Sequence, residues 1–414
     1  MWHPYQSLTQ LIEAQLWPLL TAGGLLIFCG GLIVYHHFGY PLLIRFLAQR
    51  QPNPHYPVAP ELYPRSPDDA LAPEHWPPIS LIIPVYNESA HIAEKIRNLA
   101  LLDYPSDCLE IRFIFDGCTD DSVDIAEKTL QEPLCQHLPC ILQIEEQNQG
   151  KLQQLNRAIP KARFEIIALS DLSALMAVDA LKLAALWFKR KHIGAVCATY
   201  RFLSNAGTQE QSYWHYQCSI KQAESQIGST LGAHGAFYLL RQSLFQPLPL
   251  DSINDDFILP CRIVEQGYRV VYDPRIIAIE LESSALEQDF QRRLRISAGN
   301  MQQSLRLTGL LHPKLGHTSW MFFSCKWLRP FMPWCFIGCF VASIWLSLIS
   351  YWLSPILLLQ LLVYGLVIKQ QLQPGTQPAL VKLHYLISGH VLGLIGGIDY
   401  LRGRYQQPWK KVSH

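Results

Sequence analysis

Acidic and polar side chains follow several short apolar runs in the middle of this chain. The stretch "LSDLSA", residues 169–174, places Asp171 after the run Ile166-Ile167-Ala168. A carboxylate there could bind Mg²⁺ or Mn²⁺, because these cations prefer oxygen ligands. A second acid two residues later would strengthen such a site, but Ser173 stands there. The other interpretation is that Asp171 is a polar residue at the end of a strand.

Two further polar clusters also follow apolar runs. "PVYNES" contains Pro84, Tyr86 and Glu88, and "DGCTDDS" follows a run that ends at Asp116. Glu88 alone could be a first-turn helix residue, where a carboxylate suits the positive end of the helix dipole. Three polar clusters that each follow an apolar run indicate a ligand site more strongly than any one of them.

Basic and paired acidic residues occur further along the chain. Lys151 in "QGK" opens a helical pattern, and a helix N-terminus together with an ammonium group favours a diphosphate. Asp255 and Asp256 in "NDDF" precede an amphipathic helix. Paired carboxylates can have a raised pKa and act as a general base, whereas helix capping is the alternative for Asp-Asp.

The elements that must position these residues alternate between strands and helices. Strands are predicted at 79–85, 109–117, 140–146 and 164–171, and helical patterns separate them. This alternation predicts an α/β domain with a mainly parallel sheet and helices on both faces. Ligands of such sheets bind at the carboxyl ends of the strands, where the polar clusters fall.

The ordered motifs resemble those of family 2 glycosyltransferases with the GT-A fold. They include "ISLIIPVYNESAHIAEKIRNL", "FIFDGCTDDS", "NQGKLQQLNRAI", "ALSDLS", "GAHGAFYLLRQSLF", "INDDFILPCRIVEQGYRVVYDP" and "QRRLRISAGN". The resemblance covers residues 79–305 and is greatest to the membrane-embedded branch of cellulose-synthase-like, hyaluronan-synthase-like and ceramide-glucosyltransferase-like enzymes. It implies a Rossmann-like GT-A catalytic domain flanked by N- and C-terminal transmembrane helices.

The resemblance also implies a nucleotide-sugar donor site and a divalent cation. The loop with Pro84, Tyr86 and Glu88 would contact uracil. Asp116 would accept a hydrogen bond from the uracil N3–H, and Lys151 and Arg292 would contact the nucleotide. Asp171 matches the first acid of the family's D-x-D motif, so it would bring Mg²⁺ or Mn²⁺ onto the diphosphate. Because Ser173 replaces the second acid, contact of Asp171 with the ribose or donor sugar is the alternative.

The acceptor side follows from the same resemblance. Asp256 would be the catalytic base with Asp255 as its neighbour, and Arg295 would neutralise the departing diphosphate, since guanidinium matches phosphate oxygens with two bonds. Ile296 replaces the family's Trp, which favours transfer of single sugars over chain synthesis. His234 would be an acceptor contact or a supplementary metal ligand, and a structural histidine is the alternative.

Composition narrows the class of protein. The formal net charge is +1 and charged residues make up only 16%, so nothing indicates nucleic-acid binding. The apolar residues concentrate at both ends of the chain. The eleven cysteines show no CxxC pair or zinc-type spacing, which favours reduced thiols over a disulfide framework.

The apolar ends predict a multi-pass membrane protein. Residues 1–45 are predicted to hold an N-terminal transmembrane segment, because 16–44 contains no charged residue and no signal-peptide pattern. The proline-rich stretch 46–78 is the predicted linker, and 79–305 the catalytic domain. The region 306–414 is predicted to hold an interfacial helix at 309–334, two spans that turn near 351–355, and a third segment whose nature is open. Arg45 and Arg50 follow the first span, so the catalytic domain is expected to face the cytoplasm at an inner or plasma membrane.

The expected function is therefore that of an inverting glycosyltransferase. It would move a sugar from a UDP-sugar to a lipid-linked, glycolipid or polysaccharide acceptor at the cytoplasmic membrane face, without processive synthesis. Membrane lipid and members of a polysaccharide-assembly complex are the expected partners. The alternative is a non-catalytic scaffolding subunit with a GT-A fold, and Ser173 and Ile296 are the features that favour it.

Overall fold

The computed structural model describes residues 4–51, 56, 76–202, 208–280 and 286–405. Most of the predicted linker 46–78 and the last residues, 406–414, lie outside these ranges.

One eight-stranded sheet organises the described part of the central domain. Its strands are β1 (Ile79–Val85), β2 (Leu109–Asp116), β3 (Cys140–Glu145), β4 (Ile166–Ser170), β5 (Ala174–Met176), β6 (Ile193–Phe202), β7 (Phe237–Arg241) and β8 (Arg269–Glu280). The α-helices of the central domain are α3 (Ile92–Ala100), α4 (Ser122–Leu130), α5 (Lys151–Ala158), α6 (Ala180–Phe188), α7 (Thr208–Ile227), α8 (Asp255–Glu265) and α9 (Leu286–Arg306). The flanking α-helices are α1 (Pro4–Val34), α2 (Tyr40–Gln49), α10 (His317–Met321), α11 (Met332–Ile349), α12 (Ser354–Leu372) and α13 (Pro378–Leu401).

The strand order is β3-β2-β1-β4-β7-β6-β8-β5. The first four strands are parallel to one another, β7 is antiparallel to both of its neighbours, and β6 is parallel to β8. The chain leaves β1 to form β2 and β3 on one side and later adds β4 on the other side. This change of direction opens a crevice beyond the carboxyl ends of β1 and β4, where α/β proteins bind ligands.

The sheet is covered on both faces, which explains the continuous apolar runs of its strands. In β1, Leu81, Ile83 and Val85 pack on the face that carries α3 and α6, and Ile82 packs on the opposite face with α5 and α8. The structure confirms the predicted α/β class.

The N-terminal apolar helix continues into the core of the central domain. A π-helical turn, Tyr35–Gly39, joins α1 to α2. In α2, Tyr40, Ile44 and Ala48 are buried in the same apolar cluster as Ile82. The end of this first helical segment and the central domain therefore share one packed interface.

Four helical segments are long and apolar enough to cross a membrane. They are Leu16–Gln49, His317–Ile349, Tyr351–Leu372 and Pro378–Leu401. A short 3-10 turn, Tyr351–Leu353, separates α11 from α12, where the turn was predicted. The segment 309–334, predicted as an interfacial helix, is irregular: 3-10 turns, α10, a π-helical turn and a further 3-10 turn succeed one another there, and its place at a membrane interface stays a prediction. Pro313 and Pro330 have no backbone N–H to donate, so they interrupt a regular helix.

Candidate functional site

A small cavity lies in the crevice beyond β1 and β4. Its lining includes Pro84, Lys151, Asp171, Gly235 and Asp255, which come from widely separated parts of the sequence. Lys151 Nζ lies 2.8 Å from Asp171 Oδ1 and 3.6 Å from Asp255 Oδ2. Burial lowers the pKa of Lys151, but the two carboxylates more than offset this and raise it, so the ammonium stays charged. The structure thus brings together three residues that the sequence placed on separate motifs.

Asp256 completes this acidic cluster. Burial, and next the neighbouring Asp255, raises its pKa to about 6, although Lys151 and Lys221 act in the opposite direction. A carboxyl group with this pKa is mostly ionised at neutral pH and holds a proton more readily than an ordinary aspartate. Asp256 can therefore accept a proton from a bound hydroxyl group.

Gly235 leaves room beside the carboxylates of Asp171 and Asp256. The position that a Cβ would take on Gly235 lies 3.3 Å from Oδ2 of Asp171 and 3.5 Å from Oδ2 of Asp256. A larger side chain at this position would enter the space between the carboxylates. Gly235, the second glycine of "GAHGAF", therefore shapes the site, and the sequence did not reveal this role.

Asp116 fixes the loop that carries Lys151. Its buried carboxylate accepts hydrogen bonds from the backbone N–H groups of Gln149 and Gly150, at 2.9 and 2.7 Å, and from Gln154 Nε2 at 2.5 Å. These bonds satisfy donors at the start of α5 and aim Lys151 at the acidic cluster. The predicted hydrogen bond from a uracil ring to Asp116 stays a prediction.

The loop after β1 has a constrained shape. Asn87 has φ of 50°, a left-handed conformation that asparagine tolerates better than most residues. Its side chain accepts a bond from Thr119 N at 2.8 Å and donates one to Thr119 Oγ1 at 3.1 Å. The loops after β1 and β2 are thereby joined. Tyr86 and Glu88, both half-buried, flank Asn87, and their contact with a base stays a prediction.

Lys95 is a site-supporting residue that the sequence analysis missed. It is fully buried on α3, and its ammonium donates to Ser170 Oγ at 2.7 Å, to the Asp171 carbonyl at 3.1 Å and to the Ala174 carbonyl. Burial lowers its pKa to about 7, although Asp171 acts to raise it. The "LSDLSA" stretch therefore wraps around a buried amine. A lysine at helical spacing among apolar residues, three positions after Ile92, was the available signal.

His234 is buried among aromatic rings. Its ring centroid lies 5.9 Å from that of Tyr200 and 6.3 Å from that of Tyr272, and its Nε2 lies 3.9 Å from Cys218 Sγ. Burial, and then the charge of Lys221, holds the pKa of His234 well below its ordinary value, so the ring is neutral. These contacts fit a structural histidine, and the acceptor and metal-ligand roles stay predictions.

Arg292 and Arg295 lie on α9, which passes the start of α8. A Cβ on Gly299 would lie 2.3 Å from Nδ2 of Asn254, the residue that precedes the acid pair, so the two helices are in direct contact there. Arg295 lies one turn before Gly299 and acts electrostatically on Tyr405, beyond the end of α13. The contact of these arginines with a diphosphate stays a prediction.

A divalent cation fits Asp171 only in part. Its Oδ1 accepts the bond from Lys151, whereas no described group donates to Oδ2. Within the described ranges, no group of three or more His, Cys, Asp and Glu side chains surrounds a common metal position. A cation on Asp171 would therefore need further oxygen ligands from a bound diphosphate and water, as Mg²⁺ often does.

The fold and the site define a glycosyltransferase of the GT-A type, and comparison with known proteins agrees. Residues 77–299 match the model of glycosyltransferase-like family 2. Since this match covers more than half of the chain, the protein belongs to that family, and the predicted family and fold are confirmed.

Two curated relatives cover the same region. The poly-beta-1,6-N-acetyl-D-glucosamine synthase of Staphylococcus aureus strain COL is 24% identical over 236 residues, which are 55% of this chain and 56% of that protein. The synthase of the same name from Staphylococcus epidermidis is 25% identical over the same shares. The chain thus spans about half the length of the curated relatives it matches.

A solved structure resembles nearly the whole chain. It is the mannosyltransferase PcManGT from Pyrobaculum calidifontis in complex with GDP-Man and Mn²⁺, with a TM-score of 0.68 and 22% identity over 92% of this chain and 99% of that one. At this identity the likeness concerns the fold, and it extends over the flanking helices as well as the central sheet.

Proposed function

We propose that this protein is an inverting glycosyltransferase that moves one sugar from a nucleoside diphosphate sugar to a lipid-linked, glycolipid or polysaccharide acceptor. The observation that carries the proposal is the cluster of Lys151, Asp171, Asp255 and Asp256 at the carboxyl ends of β1 and β4. In this cluster the ammonium group of Lys151 can bind a diphosphate, and the carboxylate of Asp256 can accept a proton.

The reaction that suits this cluster is a single displacement. The acceptor hydroxyl oxygen attacks the anomeric carbon, a new C–O bond forms, and the bond to the diphosphate oxygen breaks. Asp256 takes the hydroxyl proton, and Lys151 holds the diphosphate that leaves. Attack from the face opposite the leaving group inverts the anomeric configuration. Asp255 supports the base, because its negative charge helps to raise the pKa of Asp256.

Asp171 is the residue that would hold Mg²⁺ or Mn²⁺, through Oδ2. Such a cation would neutralise negative charge on the diphosphate. The Lys151 ammonium, 2.8 Å from the other oxygen of Asp171, adds a second positive charge on the same side of the cavity.

The donor and acceptor classes rest on separate support. The sequence resemblance favours a UDP-sugar, and the solved relative with the same fold binds GDP-Man, so both nucleotides belong in the test. The Staphylococcus relatives are named as synthases of a polysaccharide, which supports a saccharide acceptor. Ile296 in place of the family's Trp supports transfer of single sugars.

A membrane setting is supported by the junction between α1 and the central domain. Tyr40 OH donates to Glu224 Oε1 at 2.9 Å, and this contact ties the end of the first candidate span to α7. Arg45 lies near the C-terminal end of that span and Arg50 follows it, and the positive-inside rule then favours a cytoplasmic catalytic domain.

The decisive experiment compares the wild-type protein with Asp256→Asn. Purified full-length protein is incubated with radiolabelled UDP-sugars and GDP-sugars and membrane lipid extract, and nucleotide release and labelled product are measured. We expect Asp256→Asn to lower transfer roughly a hundredfold or more while nucleotide binding is retained. Asp124→Asn, an exposed acid on α4, is the matched control. Normal transfer by Asp256→Asn would contradict the assignment of the base.

A scaffolding role is the second candidate, because Ser173 and Ile296 depart from the family pattern. Binding of UDP and GDP, measured with and without Mn²⁺, separates the two functions. A scaffold that has lost the site would show no affinity that depends on the metal, and it would release no nucleotide from any donor.

A further inference from the structure

A second cavity, here called the edge cavity, lies at one end of the central sheet between β2, β3 and α5. Its volume is about 370 Å³, a size that suits a small molecule. The residues that line it are Arg112 on β2, Gln143 and Glu145 on β3, Arg157 and Ala158 on α5, and Lys161 just after α5. Three cationic side chains and one carboxylate therefore share one cavity.

The edge cavity is separate from the cavity of Lys151 and Asp171, here called the donor cavity. Among the residues that the structure describes, the two cavities have no lining residue in common. The helix α5 begins at Lys151 beside the donor cavity and carries Arg157 near its other end. At a rise of about 1.5 Å per residue, these two residues lie about 9 Å apart along the helix axis. A ligand of the edge cavity would therefore occupy a site of its own.

Arg112 contributes a buried donor that lacks an acceptor. Its Nη2 donates to Glu110 Oε1 at 2.8 Å, whereas its Nε is buried and takes part in no hydrogen bond within the described part of the chain. The carboxylate of Glu110 also accepts bonds from Ser80 Oγ at 2.5 Å and from Arg163 N at 3.1 Å. A buried N–H group without an acceptor is uncommon and calls for an explanation.

The other two cations of the edge cavity are exposed and unpaired. Of the side chains that the structure describes, none forms an ion pair or hydrogen bond with Arg157 or Lys161, although Glu145 lines the same cavity. Glu145 instead accepts a bond from Gln143 Nε2 at 2.6 Å. Guanidinium and ammonium groups are donors without any acceptor atom. Three like charges around one cavity repel one another, and a bound anion would relieve that repulsion.

The alternative is that these charges only keep an edge strand in solvent. On the same face of the sheet, the neighbouring positions Ile82 of β1 and Ile114 of β2 are buried in an apolar cluster. A solvent-facing edge accounts for the exposed Arg157 and Lys161. It does not account for the buried Nε of Arg112 or for the convergence of three cations on one cavity.

The position of the edge cavity favours a soluble ligand over a lipid headgroup. β3 is the outermost strand at its end of the sheet. None of its residues belongs to the apolar cluster that Tyr40 and Ile44, at the end of the first candidate span, join. The helix α2 instead contacts α7, which lies against β6 and β8.

We propose that the edge cavity binds a small soluble molecule that carries a phosphate group, through Arg112, Arg157 and Lys161. Guanidinium groups match phosphate oxygens with two parallel hydrogen bonds, and the ammonium group adds a further donor. The carboxylate of Glu145 can accept a bond from a hydroxyl group of the same molecule, as a sugar phosphate or a nucleotide carries. This site does not depend on the proposed transfer reaction.

Phosphate binding by a protein with a disabled donor cavity tests this proposal. Full-length Lys151→Gln in detergent is titrated calorimetrically with inorganic phosphate, glucose 1-phosphate and AMP, and we expect it to bind at least one of them. Adding Arg157→Gln and Lys161→Gln should weaken that binding about tenfold or more, because two charge-assisted contacts are lost. Adding Lys128→Gln and Lys191→Gln instead, which removes the same charge from exposed positions outside the cavity, should leave it unchanged.

Three outcomes would overturn the proposal. If Lys151→Gln binds none of the three probes, the edge cavity is only a solvated face of the sheet. An equal loss of binding in the cavity variant and in the charge-matched control would place the anion elsewhere. Tighter binding of phosphatidylglycerol than of glucose 1-phosphate, lost with Arg157 and Lys161, would make a lipid headgroup the ligand. Should Lys151→Gln not fold, the same two pairs of changes in otherwise wild-type protein give the comparison.

Discussion

The two halves of the central sheet position their functional residues by different means. In the half that is proposed to bind the donor, β3-β2-β1-β4 (here the donor half), all strands are parallel and the loops are held by one another, as Asp116 holds the loop of Gly150. In the half that is proposed to face the acceptor, β7-β6-β8-β5 (here the acceptor half), strand directions are mixed and the loop before α8 contacts the distant helix α9. The contact of Asn254 with Gly299 of α9 is one example.

The first candidate membrane span is part of the support of the acceptor half. Glu224 accepts a bond from Tyr40 OH through Oε1 and, at 3.3 Å, from Leu231 N through Oε2. Two residues further on, Ala233 N donates to the Asp256 carbonyl at 2.8 Å. A short series of bonds thus runs from the end of the first candidate span to the proposed base. The first candidate span packs against strands of both halves, but the hydrogen bond from Tyr40 goes to Glu224 in the acceptor half.

The largest effect should come from removing the donor-half carboxylate. Asp171→Ala should lower turnover by roughly a hundredfold or more and abolish the effect of Mn²⁺ on nucleotide binding, because a cation contributes several kcal/mol of charge stabilisation. Ser173→Asp should tighten Mn²⁺ binding, and Ser173→Ala is its control. Titration calorimetry with Mn²⁺ and nucleotide checks this. Unchanged binding and turnover in Asp171→Ala would mean that Asp171 only ends a strand.

Loss of the buried amine should be the next largest effect. Lys95→Met leaves the acceptors at Ser170, Asp171 and Ala174 buried without their donor, which costs about 2–4 kcal/mol of unfolding free energy. Denaturant unfolding of the purified protein measures the loss. Lys128→Met, at an exposed position on α4, is the matched control. An equal, small loss in both variants would show that the donor half does not depend on Lys95.

The proposed base should make stability depend on pH. The folded state raises the pKa of Asp256 from 3.8 to about 6, so ionising it opposes folding. This penalty is absent below the unfolded-state value, grows as the pH rises towards 6, and is constant above. Asp256→Asn should therefore stabilise the protein at neutral pH, by at most about 3 kcal/mol, and much less at acid pH. Thermal unfolding of both proteins from acid to neutral pH tests this prediction. A stability gain in Asp256→Asn that does not vary with pH would contradict it.

The smallest effect should come from the membrane contact. Tyr40→Phe removes one hydrogen bond to a carboxylate and should cost about 1–3 kcal/mol of stability. Because only the acceptor half is affected, turnover should fall while nucleotide affinity stays the same. Tyr351→Phe, at a residue that is 70% exposed, is the control. A parallel loss of nucleotide affinity in Tyr40→Phe would remove the distinction between the two halves.

The sequence allowed the donor half to be predicted in more detail than the acceptor half. Parallel strands buried on both faces give continuous apolar runs, and the residue after each run must lie at the site, as Asp116 and Asp171 do. In the acceptor half, none of the strands β5, β6, β7 and β8 was predicted. The three-residue β5 is too short for a periodic pattern, and the partners of β7 are distant in sequence.

The role of Lys95 shows a further limit of prediction from sequence. Its spacing from Ile92 indicated a lysine on the buried face of a helix, but not what its ammonium would bind. Two of its three acceptors are the backbone carbonyls of Asp171 and Ala174, and a backbone carbonyl has no signature in the sequence. Gly235 is similar, since only the approach of two carboxylates explains it.

The sequence by itself determined the family, the α/β class, the candidate membrane helices and the residue types at the strand ends, because these follow from local periodicity and ordered motifs. Only the tertiary structure decided that Lys151 pairs with Asp171 and Asp255, that Asp256 has a raised pKa, and that the first membrane helix supports the acceptor half. Distances and burial decide charge pairing and pKa, and they exist only once residues far apart in the chain are packed together.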